Sequence, residues 1–528
     1  MFRRTAVRRP VEGRSPQHEP ASPTPSTAAH RARTGPTDAR RLVTSLAAAL
    51  ALLAGSAALA PSAAVADPPL DPAHAPYAAN DAPVLIALGQ SNAASATQMS
   101  NPDDVAKCGN FTHVKGLKRT DNRMAGALNA TWAPYTCAGT NMGADIYPNS
   151  YSVASLTALR WEQAIKDGQS LPDLYVIHVA WGGQGIQEAD APNNRWWPDR
   201  DQSDRESLHQ LTLNTISNSL RALRDAGKTP RIIGMHWNQW EQEAHTGVTA
   251  TISASHMQQA FRNVLDPLQT ITGTTGYPVF LYRPRSTTFD ATATQHVTDA
   301  LTALANLPAP NPYRLIDPAL ATTATGTPLY DPSAGPMYGI FQSDRIHYTQ
   351  PVQEWFAAQQ WNSVFTDGRF GAPVAGTSNA ALGRPTTQSS TFGDDPGAAA
   401  SRAVDGNTDA TNLSQTKLDT NAWWQVKLVG QLPIRGVRIL NRTDDCCKAR
   451  LSNFYLIVSA TDLTGLSWAD IQASPDPRIK RIWVKGTAPN QITLPVGVTG
   501  RYVRIQLAGT NYLALPEVLV DVPTPAAP

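Results

Sequence analysis

Charge is scarce in this 528-residue chain: Asp, Glu, Lys and Arg together make up only 16% of it. Its formal +2 comes from the N-terminus, where residues 1–41 hold nine Arg against Glu12, Glu19 and Asp38. Without that stretch the balance is about −4, which leaves no basic footprint for nucleic acid. Only four cysteines are present, and no Cys/His spacing matches a zinc site. Glu243-Ala244-His245 is not the HExxH of a metalloprotease. The GxSxG nucleophile elbow is missing too, because Ala stands at position 93. Beyond Leu42–Ala60 no segment is apolar and long enough to span a membrane.

The N-terminal stretch is rich in Pro, Ala, Arg, Ser and Thr and has no apolar period, which predicts disorder over 1–41. Arg40-Arg41 then precede the run Leu42–Ala60, which ends in Ala64-Val65-Ala66. A basic flank, an Ala-rich run and a small-x-small site predict a signal peptide within 1–66, and hence a secreted protein. A membrane anchor is the alternative reading. General and twin-arginine export both stay open, as does a later start codon. An even cysteine count after an export signal predicts disulfides, paired by neighbourhood as Cys108–Cys137 and Cys446–Cys447.

From 67 to 368 short apolar strands alternate with helical periods. Strands are predicted at 84–88, 174–180, 231–236, 279–282 and 313–316, and helices near 152–167, 204–226, 252–268, 290–306 and 350–366. That alternation means βαβ units, an α/β domain with a parallel sheet. Residues 369–383 are rich in Gly, Ala, Pro, Ser and Thr and read as a linker. After 384 the helical period disappears and alternating runs such as Trp424–Leu428 and Tyr502–Leu507 predict an antiparallel sandwich through 528.

In a parallel sheet, function sits beyond the carboxyl ends of the strands. The first strand runs into Gly89-Gln90-Ser91-Asn92 and the second into Trp181-Gly182-Gly183-Gln184-Gly185. The third runs into Trp237-Asn238-Gln239-Trp240-Glu241. Further on, Asp344-Arg345-Ile346-His347 sets a carboxylate three residues from an imidazole. A serine nucleophile needs a base, an orienter for the base and donors for the oxyanion. Ser91, His347 and Asp344 can fill the first three roles; Gly182, Gly183 and Gln239 can supply donors. His178, His236 and His245 read as structural. Trp181, Trp196, Trp197, Trp237 and Trp240 suit either a sugar-facing rim or the core.

These four blocks resemble the SGNH hydrolases, and within them the sialate O-acetylesterase and acetylxylan esterase branch. The resemblance covers about 83–366. It implies a three-layer, flavodoxin-like domain and a carboxylic ester hydrolase acting on O-acetylated glycans such as sialic acid or xylan. It makes Ser91 the nucleophile, His347 the base and Asp344 its orienter. The Ser91 N–H, the Gly182/Gly183 region and Gln239 would form the oxyanion hole, and no cofactor is needed. Trp240 stands where that branch has Gly, Glu243 where Asp is usual and Gln184 where Thr is usual, so the third loop is expected to take a different course.

The tail resembles the F5/8 type C (discoidin) domains, nearest the fucolectin-like lectins. The likeness lies in Gly383–Ser390, Ala403–Asn407, Trp423–Val426, Asn441-Arg442 and Asp445–Leu451. It implies a jelly-roll sandwich with a sugar site of two Arg and a His beside the vicinal cysteines. Arg442 and Arg450 match, whereas Gln415 stands at the His position and an extra residue separates Arg442 from Asp445. A glycan ligand is therefore implied, without a fucose-type preference. Asp405, Asn407 and Asp409 alternate on one loop, which suits either Ca²⁺ or a plain Asx turn. The resemblance favours Asp405, Asn407 and Glu517 as Ca²⁺ ligands.

Two other functions fit the residues. One is a lectin-like adhesin whose hydrolase domain is dead. The other is a general short-chain esterase or lipase of the same fold. None of the three functions involves a nucleic-acid partner, and the signal-peptide reading leaves no stable membrane anchor.

Overall fold

The computed structural model describes residues 77–524 apart from 95–96, 99–105, 121–126, 129, 138–139, 144–149, 188–192, 203–206, 246–250, 336 and 445. The predicted signal peptide and N-terminal region lie outside the described residues. So do most residues of the loops after 94, where Cys108 and Cys137 nonetheless form a disulfide. Cys446 and Cys447 form the second.

The N-terminal half is a mixed α/β domain. Its strands are β1 (Asp81–Gly89), β2 (Val114–Leu117), β3 (Trp132–Pro134), β4 (Leu174–Ala180), β5 (Thr229–Asn238), β6 (Val279–Tyr282) and β7 (Tyr313–Ile316). They form one sheet in the order β3-β2-β4-β1-β5-β6-β7. Only the β2–β3 pair is antiparallel; the other five pairings are parallel. Both β1 and β4 are buried along their whole length. Central strands of a parallel sheet are covered on both faces, so their sequences read as unbroken apolar runs.

The helices are α1 (Val153–Lys166), α2 (Leu208–Asp225), α3 (Glu241–His245), α4 (Ala254–Thr272), α5 (Ala291–Ala305) and α6 (Gln350–Phe365). Side-chain caps fix three starts: Ser207 accepts from Gln210 N–H, Ser253 from His256 N–H and Asp290 from Ala293 N–H. Helix α1 packs on α6 through an edge-on Trp161–Trp361 pair with centroids 6.0 Å apart. Helices α2, α4 and α5 pack in succession.

The C-terminal domain is built of β-strands, with one short α-helix at Trp468–Ala473. Its main strands are β8 (Thr377–Asn379), β9 (Thr386–Gln388), β10 (Trp423–Leu440), β11 (Ser452–Ser459), β12 (Lys480–Thr487), β13 (Gln491–Leu507) and β14 (Val518–Pro523). The sheet runs β8-β14-β10-β13-β11-β12, with β9 also on β10, and every pairing is antiparallel. Alternate residues of β10, β11 and β13, including Trp424, Val426, Leu456, Val503 and Ile505, fill its core.

The stretch read as a linker, 369–383, makes hydrogen bonds to the elements on either side of it. Arg231 Nη1 donates to the Gly371 carbonyl at 2.9 Å, and Val374 N–H to the Pro230 carbonyl at 2.8 Å. Arg435 of the sandwich donates to the Ala375 carbonyl at 2.9 Å, and Thr377 already opens β8. The halves also touch directly. On α2, Gln210 Nε2 donates to Thr493 O and Asn214 Nδ2 to Gln491 O, each at 3.1 Å.

Gly89 closes β1 at φ 135°, and a Cβ there would run into the Asn238 carbonyl. Only glycine accepts both conditions. Gly89→Ala is expected to destabilise the domain by about 2 kcal/mol or more. A thermal melt followed by circular dichroism checks this; an unchanged midpoint contradicts it.

Candidate active site and candidate glycan site

Register decides which loops meet. Gly89 at the end of β1 pairs with Ala180 of β4 on one side and Asn238 of β5 on the other. Ser91, Gly182 and Gln239 therefore each follow that row by one or two residues. The turn holding Ser91 is closed by the Gln90 carbonyl, which accepts from Ala93 N–H at 2.9 Å and Ala94 N–H at 2.7 Å. His178, buried in β4, touches that turn through Nε2 and the Ala93 carbonyl at 2.6 Å. Its burial pushes the imidazole down to about 4, so it stays neutral near pH 7. Gly182 lies against Ser91: a Cβ built on it would stand 3.5 Å from the Ser91 Cβ.

His347 is brought in by Asn92. The Asn92 Oδ1 accepts from Tyr348 N–H at 2.9 Å, and its Nδ2 donates to the Ile346 carbonyl at 3.1 Å. Both neighbours of His347 are thus fastened to the residue beside Ser91. The same Nδ2 donates to Glu241 Oε1 at 2.5 Å, and Gln90 Nε2 donates to Glu241 Oε2. Gln353 of α6 donates to the Asn92 carbonyl at 3.0 Å. One asparagine joins the end of β1, the start of α3 and the loop before α6.

Asp344 orients the imidazole. Its Oδ2 lies 2.6 Å from His347 Nδ1, while Oδ1 accepts from the N–H groups of Ile346 and His347 at 2.9 and 3.0 Å. Burial alone would raise this carboxyl; the three hydrogen bonds outweigh it and hold Asp344 below its ordinary range. Arg345, at the centre of the turn, has φ 60°, an uncommon conformation for a non-glycine residue. Its carbonyl is held by Ser286 Oγ at 2.8 Å. His347 Nε2 is buried and has no hydrogen-bond partner among the described residues. Ser91 Oγ forms no hydrogen bond with it here.

The donors divide. Among the described residues no acceptor is recorded for the backbone N–H groups of Ser91, Gly182 and Gly183. Gln239 does not match its expected role. It is buried, and its Nε2 donates to the Gln184 carbonyl at 2.6 Å and to both Glu243 oxygens at 3.2 and 3.0 Å. Its amide therefore fixes the 184 turn against α3 instead of facing the crevice.

Trp240 packs edge-on against Phe289 with centroids 5.6 Å apart, wholly inside the core. Trp196 and Trp237 are likewise fully buried and stack edge-on at 4.8 Å. Only Trp181 and Trp197 of the five keep partial exposure, and Arg195 lies over the Trp181 ring at 4.5 Å. His236 is a core residue bonded to Tyr282 OH at 2.6 Å and Gln360 Oε1 at 3.0 Å.

Sequence reasoning did not single out Asn92, Glu241 or the helper role of Glu243. Burial pushes both glutamates up to about 7, against hydrogen bonds that pull them down. The available signal was two acidic residues within five positions of a strand's end, in a block otherwise free of charge.

In the sandwich, Arg442 forks onto Asp444 through Nε at 2.8 Å and Nη2 at 2.5 Å, and its Nη2 reaches Cys446 Sγ at 3.7 Å. Arg450 lies 4.5 Å above the Tyr512 ring. Gln415 pairs with Ala514, two residues from Tyr512. Arg442 thus stands at the vicinal disulfide, and Arg450 donates its backbone N–H to the Cys447 carbonyl at 3.0 Å, whereas Gln415 is buried.

The Ca²⁺ candidates separate. Asp405 Oδ1 accepts from Asn407 N–H at 2.9 Å, Asn407 Oδ1 from Asp409 N–H at 3.0 Å and Asp409 Oδ1 from Thr411 N–H at 2.8 Å, so all three serve Asx turns, and Asn412 Nδ2 also donates to Asp405 Oδ2 at 2.9 Å. Glu517 is only 1% exposed, and neither carboxylate oxygen has a hydrogen-bond partner among the described residues. Burial first, then the charge of nearby Asp405, pushes Glu517 up to about 7, against the pull of the Gly406 N–H. No group of three or more His, Cys, Asp or Glu is placed to hold a metal ion among the described residues. A hard cation between Asp405 and Glu517 would need backbone or amide oxygens as well.

The F5/8 type C domain family matches residues 385–518. Fucolectin-6 of Anguilla japonica is 33% identical over 132 residues, 24% of this chain and 65% of that protein. The chain thus spans less than two thirds of that relative. Fucolectin-2 of the same species is 33% identical over 155 residues, 28% of this chain and 81% of that protein. Among solved structures, a Streptococcus pneumoniae fucose binding module, SpX-3, is 31% identical. It matches over 27% of this chain and 96% of its own, with a TM-score of 0.23. No helix among the described residues is long and apolar enough to cross a membrane.

Two outcomes follow. Asn92→Ala leaves the Tyr348 N–H and a Glu241 oxygen without their partner, at about 1–3 kcal/mol each. Chemical denaturation should show a loss of at least about 2 kcal/mol; a loss below ~0.5 kcal/mol would mean the clamp contributes little. For Glu517, the folded value of about 7 lies above the ordinary 4.5. Its contribution is complete below about 4.5 and is lost as pH rises through about 7. In EDTA the melting temperature should fall between pH 5 and 8, and Glu517→Gln should flatten that fall.

Proposed function

The C-terminal module belongs to the F5/8 type C family, and we propose that it is the glycan-binding half of a secreted carbohydrate O-acetyl esterase. Its relatives bear the name fucolectin, and the module supplies two arginines beside a vicinal disulfide, which supports a carbohydrate ligand. For the N-terminal domain the carrying observation is the Asn92 clamp, which fastens both neighbours of His347 to the residue next to Ser91. The parallel sheet with Ser91 beyond its central strand supports the SGNH resemblance and its flavodoxin-like fold.

In this reading His347 Nε2 takes the Ser91 proton as Oγ attacks the acetyl carbonyl. The N–H groups of Ser91, Gly182 and Gly183 stabilise the oxyanion, without Gln239. His347 then protonates the leaving sugar oxygen, and water releases acetate by the reverse path. Asp344 keeps Nδ1 occupied, so that Nε2 is the basic nitrogen. Asp405 and Glu517 would hold Ca²⁺, whose charge neutralises a buried carboxylate; the catalytic steps do not involve it.

A second reading is a glycan-binding protein with a silent hydrolase domain. The committed Gln239 amide favours it, since a family oxyanion donor is turned away.

One comparison separates the two: acetate release from acetylated xylan, acetylated sialic acid and tributyrin by the wild type and Ser91→Ala. The esterase reading expects release from at least one sugar ester that falls by about 10³-fold or more in the variant. Equal background rates on every substrate leave the lectin reading, and preference for tributyrin points to a general esterase. Gln239→Ala should keep kcat within about threefold, well short of the ~10²–10³ lost with a true oxyanion donor. For the cation, Ca²⁺ added at pH 8 should raise the melting temperature of the wild type but not of Glu517→Gln.

A further inference from the structure

Register places one row of side chains across four strands of the sandwich: Trp423 of β10, Gln506 of β13, Tyr455 of β11 and Trp483 of β12. Their sequence neighbours Trp424, Ile505, Leu456 and Val484 are in the core, so this row lies on the opposite face of the sheet. The next row on that face carries Arg504 opposite Gln425 and Ile457. The segment after β11 folds back over part of the face and brings Trp468 against Tyr455, centroids 4.9 Å apart. What remains open is a pit of about 460 Å³ between Trp423 and Trp468, with Arg504 and Gln506 lining it. That is within the size range of small-ligand sites.

Three features set the pit apart. Arg504 is 99% inside, at 1% exposure, yet makes no salt bridge among the described residues. Its Nε and Nη2 donate to Gln506 Oε1 at 3.0 and 2.7 Å, and Nη1 donates to the Leu463 carbonyl at 2.9 Å. An arginine has five N–H groups, so two have no acceptor among the described residues. Burial draws its guanidinium down to about 10, against the more distant charge of Asp462. Second, the Trp423 ring lies 4.1 Å from the Arg504 guanidinium, and both Trp423 and Trp468 keep partial exposure. Third, Leu418 and Leu466 line the pit at 57% and 43% exposure, two of the seven large apolar side chains so exposed among the described residues. On the rim, Asp419 Oδ2 is held by Ser389 and Ser390 hydroxyls at 2.6 Å each, and Asn421 offers an amide.

We propose that this pit is a second saccharide site, which takes a sugar bearing a carboxylate: the ring lies between Trp423 and Trp468 and the carboxylate meets the free N–H groups of Arg504. Indole faces match the C–H faces of a pyranose, and a guanidinium edge matches a carboxylate in two hydrogen bonds. The site requires neither the Ser91 chemistry nor the Arg442–Arg450 site. Residues 419–420 on its rim pair with 510–511, next in sequence to the Tyr512 that carries Arg450.

The probes are D-glucuronate and D-glucose, titrated into the full chain and followed by saturation-transfer NMR. Glucuronate is expected to bind the wild type and Arg450→Ala alike, and about tenfold more weakly in Trp468→Ala. Leu466→Asp puts a repelling charge on an exposed rim position and should weaken glucuronate by a similar factor. Glucose should bind at least about tenfold more weakly than glucuronate. Melting curves confirm that each variant is folded. No glucuronate binding by the wild type, equal binding of glucose, or loss in Arg450→Ala with none in Leu466→Asp overturns the proposal.

Discussion

The hydrogen bonds of Asn92 are the constraint on which the N-terminal site depends. The residue has one carbonyl oxygen and one amide nitrogen, and both are directed at the loop carrying His347. Glu241 fixes which way that amide faces, because an ionised carboxylate can accept from the amide nitrogen but has no proton to give the amide oxygen. The orientation of Asn92, the seat of His347 and the position of Ser91 are therefore set together. This works only because parallel register has already laid the ends of β1, β4 and β5 side by side.

Three buried glutamates show how differently one chain can treat the same group. Burial raises Glu241, Glu243 and Glu517 alike to about 7. The first two are surrounded by amide donors from Gln90, Asn92 and Gln239 and by the Ile186 N–H, so each can act as a junction between segments. Glu517 has only the Gly406 N–H nearby and faces another carboxylate. A buried acid that the protein itself does not satisfy is the kind of group that an outside cation completes.

The mixed α/β half and the all-β half were legible from periodicity. The run Leu174–Ala180 and the helix ends at Gly168 and Gly227 needed no tertiary information. Less legible was β12: Lys480, Arg481 and Lys485 hide a strand that has only the edge of its sheet to occupy. The two runs near 424 and 437 proved to be one bent strand, since Leu432–Ile434 continues the pairing past a bulge. At the candidate site, Ser91, Asp344 and His347 could be picked out because a hydroxyl, a carboxylate and an imidazole are recognisable as residue types. Gln239 misled because a glutamine amide points wherever its partners draw it, and Glu243 draws it inward. Asn92 stayed hidden because its role arises from residues more than 250 positions away.

The polar bonds from α2 to the sandwich, together with the strapped stretch at 371–375, have a mechanical consequence. A module on a loose tether samples many distances and concentrates an enzyme near any group within its reach. Here the sandwich is held at a set offset from the rim of the parallel sheet. In the esterase reading such an attachment acts as a gauge: a polymer gripped by the module offers the serine only those units that lie at one separation along its length. Pattern, more than total acetyl content, would then govern which chains are stripped.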